Sequence, residues 1–386
     1  MDKNVSLQEE SVQSKPPTSK RKKCNPLSVI ALLFAGLFFC FIAAFPLMFL
    51  FGVSPGENYE KKVRTEMPTW DDFINDYEKF PDTFEQHYND YFPLRSKMLE
   101  LYSYFEYKVF TSSIFPKTTS IGKNGWLFYE SWGTRDAVSG AHMLTETQLE
   151  TIYNGLMQKY ETLQSLGKAY VVYLAAEKQM IYPEHDRLKN VSYTLIDQLQ
   201  EYLEEKNCPV PFIYGKDYLI SKKTNSNQLY FKYDTHWNLL GAHYGYEQVM
   251  EKVQELLPDK QIPIVRDFTL STGKRSGDLA TTLFLSDYLI ETTPVPQYTY
   301  KPTYKGVSPI TYVTSKTDSD LKVFIYGDSF AQSDYWGRSF AQSACETRIL
   351  HNSKNFQVLL DNLGDCDVVI EECVQRVPTT LGRVFF

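Results

Sequence analysis

Between Cys24 and Gly56 the chain carries no charged residue, and its centre, Leu27–Val53, is almost wholly aliphatic and aromatic. At 1.5 Å per residue, the stretch from Leu27 to Phe45, ahead of Pro46, already makes a helix of about 28 Å, close to the hydrocarbon thickness of a bilayer. A cleaved secretory signal has a shorter apolar core and a small-residue cleavage site. Met48-Phe49-Leu50-Phe51 offers no such site, so the run is read as an uncleaved anchor. After the breaker Ser54-Pro55-Gly56, aromatics recur at helical spacing (Trp70, Phe73, Tyr77, Phe80, then Phe84, Tyr88, Phe92). With interruptions at Pro81 and Pro93, this predicts two or three helices over 69–112.

From about residue 116 the pattern changes to strands alternating with helices. Gly122–Tyr129 reads as a turn followed by a short apolar strand. Leu149, Ile152, Tyr153, Leu156 and Tyr160 make one stripe of a helix over 145–165. Ala169–Ala176 is continuously apolar, as expected of a strand buried on both faces of a parallel sheet. A helix over 193–206 leads to a strand at Val210–Tyr214, whose Pro211 places it at an edge or at its own start. A further helix spans 240–257, led in by Asn238. Residues 260–320, rich in Thr, Pro and Tyr, read as an irregular, partly β insertion. Lys322–Tyr326 and Val368–Glu371 are two more core strands, with a helix between them. The alternation implies a three-layer α/β sandwich with a mainly parallel sheet.

Charge orients this architecture. Of the overall −7, residues 1–23 hold six Lys/Arg against three acids, a local +3, which leaves −10 for the rest. Lys20-Arg21-Lys22-Lys23 directly precedes the anchor, so the positive-inside rule keeps the N-terminus cytoplasmic and places the main body outside the membrane. The expected divisions are a disordered cytoplasmic tail (1–23), the anchor (24–56), a helical membrane-proximal segment (57–115) and the α/β domain (116–386). An acidic body argues against nucleic acid as a partner. Beyond the anchor, Cys208, Cys345, Cys366 and Cys373 form neither a disulfide framework nor a zinc pattern, and nothing requires a disulfide.

Chemistry concentrates at two places. Gly327-Asp328-Ser329-Phe330 follows a buried strand, which presents Ser329 at the carboxyl end of the sheet, where α/β folds bind ligands. A helix starting there would offer the backbone N–H groups of Ser329 and Phe330 to an oxyanion. The plainer alternative is that Asp328 and Ser329 merely cap a helix. Upstream, Tyr233-Asp234-Thr235-His236-Trp237 supplies what a serine nucleophile needs: a base, His236, and a carboxylate, Asp234, to orient it. In an extended segment, residues two apart face the same way. A metal site would need more ligands than Asp234, His236 and the distant His243 provide, so none is assigned. The pentapeptide Ser-Phe-Ala-Gln-Ser occurs at both 329–333 and 339–343. Only the first follows a buried strand, which favours Ser329 over Ser339. Aromatics form 15% of the chain; most would fill the core, and only Tyr233 and Trp237, with Asp328, stand close enough to the triad to support it or touch substrate.

The DTHW segment followed about ninety residues later by GDSF resembles the SGNH-hydrolase-like domain of the alginate O-acetyltransferase family (AlgJ/AlgX-like and DHHW proteins). The segments GKNGWLF (Gly122–Phe128), Glu177-Lys178 with Ile181-Tyr182-Pro183-Glu184, Ser276-Gly277-Asp278-Leu279 and VVIEECVQR (Val368–Arg376) fit the same resemblance, which covers most of residues 84–376. Asp and His preceding Ser matches this family, whereas ordinary SGNH esterases have the serine first. One departure is Gln375, where the family usually has an acid before the arginine. The resemblance implies a triad of Asp234, His236 and Ser329 and O-acyl transfer, most simply acetyl, to a cell-surface or secreted polysaccharide. It also implies a multi-spanning MBOAT-type acyltransferase as donor partner. No cofactor is expected, since no acetyl-CoA signature is visible. An acetyl esterase and a non-catalytic glycan-binding scaffold are the rival readings.

Overall fold

Alternation along each central strand decides the layering. In the computed structural model, which describes residues 26–58, 62–188, 191 and 193–384, β3 (Ala169–Ala175) sends Val171, Tyr173 and Ala175 to one face. Tyr170, Val172 and Leu174 point to the other. The helix Leu239–Leu256 covers the first face, and Glu146–Ser165 with Leu195–Glu205 cover the second. A sheet with two apolar faces needs a helical layer on each.

The remaining strands are β1 (Thr119–Ile121), β2 (Leu127–Tyr129), β4 (Phe212–Tyr214), β5 (Thr269–Arg275), β6 (Glu291–Gln297), β7 (Thr303–Val307), β8 (Ile310–Thr314), β9 (Lys322–Gly327), β10 (Glu346–His351) and β11 (Val368–Val374). The seven-stranded sheet runs β4-β3-β11-β9-β10-β8-β7. Its first five strands are parallel, and β8 and β7 each add antiparallel. Register brings Ile370 of β11 opposite Val171 on one side and Ile325 on the other. The sheet is therefore mainly parallel, as expected. β4 is an edge strand that starts just after Pro211.

Two details correct the sequence reading. The stretch 260–320 is not wholly an insertion, because β7 and β8 extend the central sheet while β5 and β6 pair separately. The segment between β9 and β11 also contains a strand. β10, Glu-Thr-Arg-Ile-Leu-His, lies between a parallel and an antiparallel neighbour, so pairing on both sides holds a sequence with little apolar content.

The described chain divides into two compact units, Met1–Gly56 with Val63–Arg95, and Glu57–Lys62 with Ser96–Phe386. In the first, one helix runs Pro26–Leu50 straight through Pro46. Its Val29–Leu50 portion has mean hydropathy 2.6 and is long and apolar enough to cross a membrane. Near its end Phe45 stacks on Phe92 at 5.1 Å, and Phe49 meets Tyr88 at 4.9 Å. The helix Trp70–Asn75 is closed by a Thr69–Asp72 capping box, and Phe80–Asp90 starts with Pro81 in its first turn, where a missing N–H costs nothing. The expected tail, residues 1–23, and the first two residues of the expected anchor lie outside the described residues.

In the second unit the turn after β2 is unusual. Trp132 (φ 58°) and Gly133 (φ 76°) both have positive φ, and the Thr134 N–H closes the turn on the Ser131 carbonyl at 3.2 Å. Such turns favour Asn or Gly, and a bulky residue there costs about 1–2 kcal/mol.

Candidate active site

β9 delivers Ser329 at the carboxyl end of the sheet, and the turn carrying it is fixed from beneath. Asp328 Oδ1 accepts the Phe330 N–H at 2.9 Å and Oδ2 accepts the Val374 N–H at 2.8 Å. The Asp328 N–H in turn donates to Glu372 Oε2 at 3.0 Å. Burial, together with the charge of Asp328, pushes the Glu372 carboxyl well above the usual carboxylate range. Gly327 is required here, because a Cβ would lie 2.6 Å from the Ala331 Cβ and 2.9 Å from Glu372 Oε2. These bonds give Asp328 the supporting one of its two expected roles and correct one expectation: the Phe330 N–H, expected at the oxyanion, is already taken. The predicted helix behind Ser329 is only a 3₁₀ turn, Ser329–Ala331. The Ser329 N–H sits at its first position, where no intrahelical acceptor exists.

His236 Nε2 lies 2.8 Å from Ser329 Oγ, and His236 Nδ1 lies 2.7 Å from Asp234 Oδ1. The two residues share a face through a tight turn rather than an extended strand, since Asp234 Oδ1 also accepts the His236 N–H at 3.0 Å. The other carboxylate oxygen accepts from Arg275 Nη2 at 2.8 Å and from the Asp278 N–H at 3.1 Å. Burial alone would raise the Asp234 pKa, but the bonds and charge of His236 and the Arg275 guanidinium outweigh it and hold the carboxyl well below its ordinary value. Asp278 Oδ2 stands 3.8 Å from His236 Nδ1, so Asp234, His236 and Asp278 have potential ligand atoms close together. Both ring nitrogens of His236 and both oxygens of Asp234 are already engaged, by each other, Ser329, Arg275 and backbone N–H groups, the pattern of a hydrogen-bonded relay.

Tyr335 stacks on the His236 ring at 5.6 Å and Phe330 approaches it at 4.9 Å. Trp237 is fully buried and donates its indole N–H to the Phe330 carbonyl at 3.1 Å, so it braces the turn that carries Ser329. Half-buried Tyr233 is held by Glu291, which accepts its N–H at 2.9 Å and that of Lys232 at 2.8 Å. Ser339 is buried elsewhere, 3.0 Å from the Tyr298 hydroxyl, which lies 2.9 Å from His243 Nδ1. Cys208, Cys345, Cys366 and Cys373 are unpaired.

Residues to which the sequence alone gave no role complete the site. Arg275 arrives on β5, with its guanidinium 4.2 Å above the Phe231 ring. At Gly277 a Cβ would lie 2.1 Å from the Tyr233 carbonyl oxygen, so only glycine lets the two loops meet. Lys178 is buried just past β3 and donates to the carbonyls of Asp234 (2.6 Å) and Phe231 (3.2 Å), which fixes the backbone that carries the Asp-His pair. Arg376 Nη1 lies 2.8 Å from both carboxylate oxygens of Glu177. Gln375 accepts the Glu177 N–H at 3.0 Å and donates to the Ala137 carbonyl at 3.2 Å. An acid at 375 could not donate and would face Glu177, which accounts for the glutamine.

Burial lowers the Lys178 pKa to about 8, with Glu291 and Asp234 opposing the shift. Between that value and the unfolded value of about 10.4, the unfolded chain holds a proton that the folded chain has released. Stability relative to Lys178→Met is therefore expected to rise with pH across this window, by an amount of the order of 3 kcal/mol. Urea unfolding of both proteins in detergent at a series of pH values measures it, and a pH-independent gap would show that the ammonium is not desolvated.

A mainly parallel sheet between two helical layers, with a Gly-Asp-Ser turn at the end of a central strand, defines the SGNH-hydrolase-like class. Within that class the chain belongs to the family described as SGNH hydrolase-like domain, acetyltransferase AlgX, whose model matches residues 120–355. It is similar to the probable alginate O-acetylase AlgJ of Pseudomonas syringae pv. tomato, 23% identical over 268 residues, 67% of this chain and 65% of that protein. The Pseudomonas putida AlgJ is 22% identical over 265 residues, 67% of this chain and 66% of that one. The chain thus spans just under two thirds of the length of these relatives. Among solved structures, Bacillus cereus PatB1 matches 66% of this chain and 95% of its own at 15% identity with TM-score 0.49. The O-acetyltransferase domain of Pseudomonas putida AlgJ matches 68% and 92% at 17% identity with TM-score 0.46.

Proposed function

We propose that the protein is a membrane-anchored O-acyltransferase that moves an acetyl group onto hydroxyls of a cell-surface or secreted polysaccharide. The observation that carries this reading is His236 hydrogen-bonded to Ser329 on one side and Asp234 on the other. Ser329 Oγ attacks the donor carbonyl as His236 Nε2 takes its proton, and the Ser329 N–H faces the developing oxyanion. Collapse of the tetrahedral intermediate expels the donor's leaving group, which receives the proton from His236, and leaves an acyl-serine. A sugar hydroxyl then gives its proton to His236 and attacks the acyl carbonyl; the Ser329 Oγ–acyl bond breaks, Ser329 Oγ takes the proton back from His236, and the acyl group departs on the polysaccharide. Asp234 stays ionised and stabilises the imidazolium. Family membership supports acetyl as the group and a glycan as the acceptor.

The anchor over 24–56, with Lys20–Lys23 on the cytoplasmic side, puts the segment 57–115 and the catalytic domain 116–386 outside the membrane. An MBOAT-type membrane protein would hand the acyl group across, and neither a cofactor nor nucleic acid takes part. Mass spectrometry of the full chain in detergent, given an acetyl ester and then an acceptor polysaccharide, tests the reading. Acetyl should appear on Ser329 and then on the glycan. Release of acetate with no acetylated glycan would make the protein an esterase, and failure of a fluorophosphonate probe to label Ser329 would make it a scaffold.

A further inference from the structure

Trp132 stands out because its position offsets none of its cost within the fold. Its ring is 79% exposed, and no described residue stacks on it or hydrogen-bonds to it. Single exposed apolar residues are ordinary. A bulky one at positive φ is an outlier that the surroundings must enforce.

The surroundings do enforce it. Arg135 clamps Glu130 across the turn with two hydrogen bonds, at 2.8 and 2.7 Å, and reaches Asp186 at 2.9 Å. Ser131 Oγ donates to the Lys117 carbonyl at 3.0 Å, and Thr134 Oγ1 donates to the Ser131 carbonyl at 2.7 Å. The turn is rigid, and its one large side chain projects into solvent.

The turn also lies at the end of the sheet that carries Ser329, against the segment just past Val374, whose N–H holds Asp328. A Cβ at Gly133 would be 3.9 Å from the Arg376 carbonyl. The Arg376 guanidinium sits 5.0 Å from the Tyr129 ring and 5.8 Å from the Phe330 ring, and Phe330 follows Ser329. A flat apolar surface held at this end of the sheet by hydrogen bonds matches the apolar C–H face of a pyranose ring, the acceptor of the proposed acyl transfer.

We propose that Trp132 is a stacking platform for one pyranose ring of the polysaccharide acceptor, at the end of the sheet where Ser329 lies. The inference rests on the acyl-transfer reading above. It makes Trp132 a binding residue that acts on acceptor capture, with the acyl-enzyme step left to Ser329, His236 and Asp234.

The test uses full-length protein in detergent, p-nitrophenyl acetate as donor, and two β-1,4-linked hexasaccharides as acceptors, chitohexaose and a mannuronate hexamer. For whichever is acetylated, Trp132→Ala should raise the acceptor KM about tenfold, the size of one aromatic contact, with kcat within about twofold, and Trp132→Tyr should restore most of the loss. An unmoved KM, or kcat falling in step with it, overturns the platform while acyl transfer stands. Ester hydrolysis without acetylation of either hexamer overturns the acyl-transfer reading and the platform together. Quenching of Trp132 fluorescence by vesicles of bromolipid, judged against Trp132→Phe, would assign the ring to the membrane surface and overturn the glycan assignment.

Discussion

Ser329→Ala is expected to fold normally and to lose acyl transfer by about 10⁴-fold or more. Folding survives because the hydroxyl is not what shapes the turn. Asp328 holds it through the N–H groups of Phe330 and Val374, and Glu372 accepts the Asp328 N–H. Removing Oγ leaves these bonds in place and frees only His236 Nε2, on a partly exposed ring that water can reach. Activity collapses because Ser329 Oγ is, among the described residues, the one hydroxyl hydrogen-bonded to His236 Nε2. Ser339, which begins the second copy of the pentapeptide, is buried against Tyr298. Thermal unfolding within about 2 °C of the parent, combined with absence of acetyl from both protein and glycan, is the expected pair of results. Undiminished glycan acetylation by the variant would remove Ser329 from the mechanism.

Asp234→Asn should cost about 10³–10⁴-fold in the same assay, for a reason visible in the donors around the carboxylate. Four N–H groups converge on it: His236 Nδ1 and backbone N–H at Oδ1, and Arg275 and the Asp278 N–H at Oδ2. An asparagine has one acceptor oxygen. If that oxygen faces His236, its NH₂ group points at the Arg275 guanidinium and the Asp278 N–H, donors against donors. If it is turned around, the NH₂ faces Nδ1, which must then be the unprotonated nitrogen, and Nε2 carries a proton and cannot accept one from Ser329. The carboxyl's low pKa adds a stability term. That term is complete above the unfolded value near pH 4 and is lost as the pH falls through the lower folded value. Acid unfolding of the variant should therefore lack part of the parent's downward slope below pH 4. Equal activity of the two proteins at neutral pH would show that the carboxylate does not set the imidazole tautomer.

The sequence made legible what is local. A buried apolar strand running into Gly327-Asp328-Ser329, and an acid and a histidine two residues apart, depend on short-range pattern and chemistry, and the structure brings these side chains within hydrogen-bonding distance. What it hid depends on distant partners. Arg275 lies 41 positions after Asp234, and Lys178 lies 56 positions before it. Neither shows a local periodicity that would announce a role. The sequence offers Asp328 as a cap but not which N–H it takes, so the Phe330 N–H looked available. Trp132 was indistinguishable from the other aromatics until its φ and exposure were known.

The place of β11 has a consequence for the turn that carries Ser329. It lies between β3 and β9 in the middle of the sheet, although it is the last of the described strands in chain order. Val374, which pins Asp328, follows it by 46 positions. The two groups that hold Asp328 beneath the Ser329 turn, the Val374 N–H and the Glu372 carboxyl, both sit on β11, so the turn takes its shape only when that strand is in the sheet.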